Sequence, residues 1–183
     1  MKTLCLAIAM SVFLVGVAAA QDNRIGIYTT QDADPTHTIY DGGANEFFDV
    51  YVIVHNPTNT VTGEPLTSIA MYQMHMVMPD MVAVTNTYPA GTANFGTPPD
   101  YLCFTDIPVV DGKCTLLTMT LLSLAATPDG IYLEDLWISD VQTGDKYPAY
   151  PSSGDPGLPV FGLWSSVVPD QDVSWSGVHN LFR

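Results

Sequence analysis

Sixteen of the nineteen acidic residues in this 183-residue chain are aspartate, and only five lysines and arginines stand against them. The chain therefore lacks the glutamate, lysine and arginine that normally coat the exposed side of a helix, while aspartate itself favours turns and caps. Helices should be few. Nineteen threonines, together with valine, tyrosine and isoleucine, favour strands instead, and fourteen glycines and fourteen prolines punctuate them. The pattern is that of an all-β chain.

The strongest strand runs from Phe47 to His55, with Val50, Val52 and Val54 on one face and Asp49, Tyr51, Ile53 and His55 on the other; Asn56-Pro57 ends it. Ser68 to Met78 follows, with Ala70, Tyr72, Met74, Met76 and Met78 on one face and Ile69, Met71, Gln73, His75 and Val77 on the other. Both of its faces are largely apolar, as in a central sandwich strand, although periodicity alone leaves a short helix open there. Pro79-Asp80 stops this stretch, and Met81 to Thr85 resumes it. Further strands are expected at Arg24 to Thr29, Tyr101 to Thr105, Cys114 to Leu122 and Gly130 to Ser139. Asp111-Gly112 and Asp129-Gly130 read as turns, and Gly144 to Pro159 reads as one long loop before an apolar segment at Val160 to Trp164. Seven to nine short strands at this spacing imply a two-sheet antiparallel sandwich, immunoglobulin-like or jelly-roll.

Residues 1–20 do not belong to that sandwich. Lys2, an apolar run from Leu4 to Val17, and Ala18, Ala19 and Ala20 form a secretory signal peptide with cleavage near Ala20. Its apolar core of about 14 residues is shorter than the roughly 20 needed to span a bilayer. Cleavage removes Lys2, Cys5 and no acid, which leaves net charge −15 over 163 residues. Residues 21–170 would then be the sandwich domain, secreted, periplasmic or at the cell surface, with no membrane span. Residues 171–183 form a tail in which Trp175, Val178 and Leu181 or Phe182 recur at three- to four-residue steps, a spacing compatible with a short C-terminal helix capped by Asp172 or Ser174.

Charge and composition exclude two classes. Five basic residues cannot make the cationic footprint that nucleic acid requires. A hydrophobic fraction of 47% with only 13% charged residues is enough to build a core, so the chain is not disordered.

Asp49-Val50-Tyr51-Val52-Ile53-Val54-His55-Asn56, the strand pair broken by Pro79-Asp80, the strand from Cys114 to Leu122 and Gly130-Ile131-Tyr132-Leu133 together resemble cohesin-like and related bacterial extracellular β-sandwich modules, over roughly Phe47 to Ser139. The ending Trp175-Ser176-Gly177-Val178-His179-Asn180-Leu181-Phe182-Arg183 is similar to the W-G-x-[IV]-K-x-L-[YF]-R tail of secreted proteins of environmental Gram-negative bacteria. Ser176 and His179 depart from that pattern. This second resemblance implies secretion and transfers no catalytic residue.

Cys103 and Cys114 are separated by ten residues that include Asp111-Gly112, and an even pair in an exported chain is expected to form a disulfide worth roughly 3 kcal/mol. Two cysteines do not complete a zinc site, and His37, His55, His75 and His179 fall in no H-E-x-x-H or H-x-H pairing. His55 and His75 could meet on neighbouring strands; two separate strand-end histidines are the plainer alternative. No G-x-S-x-G elbow is present. Glu46, Asp49 and Glu134 are conceivable members of a glycosidase pair, but with nineteen acids their spacing selects nothing.

Calcium is the more reasonable ligand for an acidic exported sandwich. Asp32, Asp34, Asp41 and Glu46 offer clustered oxygens in Gln31–Pro35 and Asp41–Glu46, without completing an EF-hand loop. Solvated turns are the alternative. Tyr147, Tyr150 and Trp164, with Phe161, flank the proline-rich loop and could stack on sugar rings if exposed; core packing and loop anchoring are the plainer alternative. The methionines from Met71 to Met81 read as core filler. The expectation is a secreted, non-enzymatic module that binds a protein or polysaccharide or builds a surface assembly, with no cofactor beyond calcium. A calcium-dependent carbohydrate binder or small extracellular hydrolase is the second reading.

Overall fold

The computed structural model describes residues 23–34 and 38–162. The signal segment, the tail at 171–183, His37, Trp164 and His179 lie outside the described residues. The described chain forms ten strands: β1 (Arg24–Tyr28), β2 (Phe47–His55), β3 (Ser68–Val77), β4 (Met81–Thr87), β5 (Ala93–Asn94), β6 (Asp100–Pro108), β7 (Lys113–Ser123), β8 (Tyr132–Asp140), β9 (Lys146–Pro148) and β10 (Tyr150–Pro151). Among the described residues no helix is long and apolar enough to cross a membrane.

The strands build two facing sheets, one in the order β10-β1-β2-β7-β4 and the other β5-β6-β3-β8-β9. The chain is an all-β sandwich. Pairing is antiparallel except between β1 and β10, which run parallel. Non-consecutive strands nest beside one another, β2 with β7 and β3 with both β6 and β8. That nesting of non-consecutive strands is the Greek-key kind common to immunoglobulin-like and jelly-roll sandwiches.

The core follows from period-two alternation, corrected by bulges. Val50, Val52 and Val54 of β2 face inward, as their spacing requires, and meet Tyr72, Met74 and Met76 of β3, Leu117, Met119 and Leu121 of β7, and Leu133 and Ile138 of β8. Four breaks in register alter the simple alternation, one of them in β4 between Ala83 and Thr85. In β3, a shift between Ile69 and Met71 buries Ile69 and leaves Ala70 half-buried, although the sequence placed Ala70 on the face of Tyr72. A shift between Val52 and Ile53 leaves Leu116 of β7 without a partner on β2. In β8, Asp135 adopts φ +50° where the pairing slips between Gln73 and His75, so Trp137 ends on the outer face.

Asp111 and Gly112 both have positive φ, and Val110 and Lys113 exchange two backbone hydrogen bonds of 2.9 Å. This is the two-residue turn expected of Asp-Gly. Asp129-Gly130 is not a turn. Gly130 is needed instead for close approach, because a Cβ there would lie 2.2 Å from Pro159 Cβ and 2.8 Å from the Phe161 carbonyl. The long loop expected over Gly144 to Pro159 contains β9 and β10. Their prolines hid them, and both strands are sheet edges, where proline is tolerated.

The expected disulfide is not formed: Cys103 and Cys114 are free, buried thiols. Cys103 shares a side-chain hydrogen bond with Tyr72, whereas Cys114 Sγ lies 3.9 Å from the Ile107 carbonyl. Burial raises both thiol pKa values, that of Cys114 to about 12. Both cysteines should therefore resist a thiol reagent in the native protein and react only on unfolding, and a reducing agent should leave the melting temperature unchanged. A melt lowered by reductant would show a bridge after all.

Candidate functional site

The outer face of the second sheet carries a group of large apolar side chains. Alternation in β6 sends Tyr101 and Cys103 inward, and therefore Leu102 and Phe104 outward. In β3 the outward residues are Met71, Gln73, His75 and Val77. Register aligns them in rungs: Ala93–Phe104–Met71 in one, Leu102–Gln73–Trp137–Pro148 in the next, and Asp100–His75–Glu134 in the third.

The loop after β5 extends the second rung, since Phe95 N donates to the Leu102 carbonyl at 2.8 Å. Phe95 is 71% exposed and Phe104 44% exposed. Their rings meet edge to face, with centroids 5.1 Å apart at 81°, and line an open groove with Ala90, Ala93 and Leu102. On the far side of the face, Lys146 Nζ sits 4.0 Å over the Trp137 ring. In the third rung His75 Nδ1 and Asp100 Oδ1 share a 2.7 Å hydrogen bond. The result is an apolar band bordered by acids.

The first sheet's outer face carries an apolar row at one end, Phe47–Leu122–Val82, with Phe47 and Val82 exposed, and is more polar beyond it. Thr115, Thr118 and Thr120 line β7, and Thr120 donates to Asp49 at 2.7 Å. Ile53 faces outward too, but Tyr28 and Ala33 fold over it and bury it.

The residues singled out from the sequence are scattered. Asp32 and Asp34 lie in the loop after β1, where Thr30 donates to the Asp32 carboxylate and Lys113 Nζ donates to the Asp32 carbonyl. Glu46 closes the turn at the opposite end of β2, accepting from Gly43 N at 3.0 Å, and Asp41 is exposed nearby. The nine residues of β2 separate the two clusters by roughly 25–30 Å. Among the described residues no three histidine, cysteine or acidic side chains gather where they could hold a metal.

Tyr147 does not join a platform with Tyr150, since it points into the core while Tyr150 is exposed. Phe161 is buried as well, stacked on Phe48 at 5.9 Å. Asp49 and Glu134 stand on the outer faces of different sheets, so they cannot flank one bond. Met74, Met76 and Met81 are core filler, as expected.

His55 and His75 do not meet, because they belong to different sheets. His55 lies in a cross-strand row between Arg24 and Lys113, its ring edge-on to Tyr28 at 5.4 Å. Burial, then Lys113, then Arg24 lower its pKa to about 4.

Leu102, Phe104, Phe95 and Trp137 were not singled out from the sequence. The signal was present in the apolar residues on both faces of Tyr101 to Thr105. Two apolar faces read as burial in a central strand, and here one of them is open.

No family model and no curated protein matches the chain. Among solved structures it is similar to a non-cellulosomal cohesin from the hyperthermophilic archaeon Archaeoglobus fulgidus, with 9% identity and a TM-score of 0.41 over 60% of this chain and 78% of that one. It is also similar to a chain of a crystallised CaDoc0917–CaCohA2 complex, with 10% identity and a TM-score of 0.42 over 61% and 88%.

The lowered pKa of His55 gives a pH prediction. An unfolded histidine protonates near pH 6.5, whereas the folded one stays neutral to about pH 4. The neutral form's contribution is thus fully present above pH 6.5 and is lost as pH falls toward 4, on the order of 3 kcal/mol in all. Melting temperatures of wild type and His55→Gln between pH 7 and pH 4 should diverge in slope, the wild type falling more steeply. Parallel curves would refute it.

Proposed function

We propose that the protein is an exported, non-enzymatic module that binds another protein through the outer face of the β5-β6-β3-β8-β9 sheet. The observation that carries this is the exposed Phe95–Phe104 pair continuing into Leu102 and Met71, with Trp137 beyond Gln73. Scattered apolar side chains are ordinary on a surface; a contiguous band edged by polar residues is what an interface looks like before it is covered. Export rests on the reading of residues 1–20.

A protein partner suits the face better than a polysaccharide. Sugar rings stack on flat aromatic faces that point to solvent. Phe95 and Phe104 are packed edge to face rather than side by side, and Lys146 already covers one face of Trp137. The groove fits a side chain inserted from above.

Affinity capture from the extracytoplasmic fraction, with Phe104→Asp and Val82→Asp compared against wild type, tests the assignment. Truncating or charging a central interface aromatic costs at least about 2 kcal/mol, so Phe104→Asp should lower capture of the partner roughly thirtyfold. Val82→Asp, on the other sheet, should not. The same protein retained equally by all three, or a glycan retained in its place, would overturn the reading.

A further inference from the structure

Charge narrows the occupant of this face, given that the face is a protein-docking surface. Asp106 lines the Phe95–Phe104 groove, and Asp100, with a side chain 73% exposed, stands two residues from Leu102 on the same strand. Across β3, Glu134 and Asp135 are exposed as well. The cationic side chains of this face among the described residues are engaged within it: Lys146 lies over Trp137, and His75 is bonded to Asp100. The band is therefore apolar at its centre and negative at its border.

No part of the chain supplies the positive complement. A second copy carries the same net charge of −14 and would set these acids against their equals. Residues 163–183 hold Asp170 and Asp172 against Arg183, a net charge of −1 with His179 neutral. Residues 1–22 hold Lys2 and Asp22 and are neutral overall. Neither segment brings basic residues in number.

We infer that the occupant is a foreign protein that seats a large apolar or aromatic side chain between Phe95 and Phe104 and places lysine or arginine beside it, over Asp100 and Asp106. The apolar side chain supplies affinity by desolvation. The flanking cations raise the encounter rate and fix orientation, at a cost in affinity when salt screens them.

Selection of peptides from a random display library against the full chain, followed by titration of the selected peptides, tests this. Binders should carry an aromatic or large aliphatic residue flanked by lysine or arginine. Their affinity should fall about tenfold between about 50 and about 500 mM NaCl. Asp100→Asn with Asp106→Asn should weaken them about five- to tenfold, Asp106→Asn alone less, and Phe104→Ala or Phe95→Ser should abolish binding. Melting temperatures of all variants should match wild type, since these side chains are exposed.

Binders that need Phe104 yet show no basic bias and ignore the aspartate variants would overturn the charge assignment and leave the docking face standing. A selection that yields no binder, or binders indifferent to Phe104 and to both aspartates, would overturn both.

Discussion

Tyr72 reaches across the sandwich from β3 and donates its hydroxyl to the Leu116 carbonyl at 2.8 Å, with both residues wholly buried. Leu116 is the residue that the β7 bulge leaves without a partner on β2, and the pairing of β7 with β4 begins only at Thr118. A carbonyl in that position costs about 1–3 kcal/mol if no donor reaches it. Tyr72 is that donor, so the bulge and the tyrosine stabilise each other. The bond also fixes the phase of β3. With Tyr72 inward beside Cys103 and Ile138, Met71 and Gln73 must point outward, in line with Phe104, Leu102 and Trp137. Because side chains alternate with a period of two, a slip of one residue would bury the outer band and expose the core.

How much of this the sequence reveals depends on how local the cause is. The bounds of β2 could be read to the residue, because a clean alternation ran into Asn56-Pro57. The turn at Asp111-Gly112 was equally plain, since two adjacent residues carry the whole signal. Bulges were not readable. The one between Ile69 and Met71 moves Ile69 into the core through pairing with a strand more than thirty residues away. The cysteines failed for a similar reason. Ten residues and a turn bring them together in sequence, but β6 and β7 belong to opposite sheets and Cys103 lies well back along its strand.

The candidate site was hidden by a different ambiguity. Apolar residues on both faces of a strand mean that both faces are covered, and the sequence does not say by what. In the first sheet the cover is internal at Ile53, where Tyr28 and Ala33 close over it, while Phe47 and Val82 stay exposed. In the second sheet no described residue does the same for Phe104. Tyr147 went inward because the supposed loop that holds it is edge strand packed on the core, and Phe161 because it bridges to Ile131 and stacks on Phe48.

The two outer faces also divide the scarce cations unequally. Arg24 and Lys113 stand on either side of His55 in one row of the first sheet, beneath the loop that carries Asp32 and Asp34. Like charges opposed across strands repel, and keeping His55 neutral limits that repulsion. Among the described residues the second sheet keeps Lys146 alone of the lysines and arginines, laid over Trp137, and otherwise presents acids around its apolar band. Burying a hydrophobic side chain stabilises by about 25 cal/mol for each Å² removed from water. Phe95 and Phe104 contribute little of that to the free chain. Their stabilisation is still available to whatever covers them, and the acids beside them set the charge that a partner must bring.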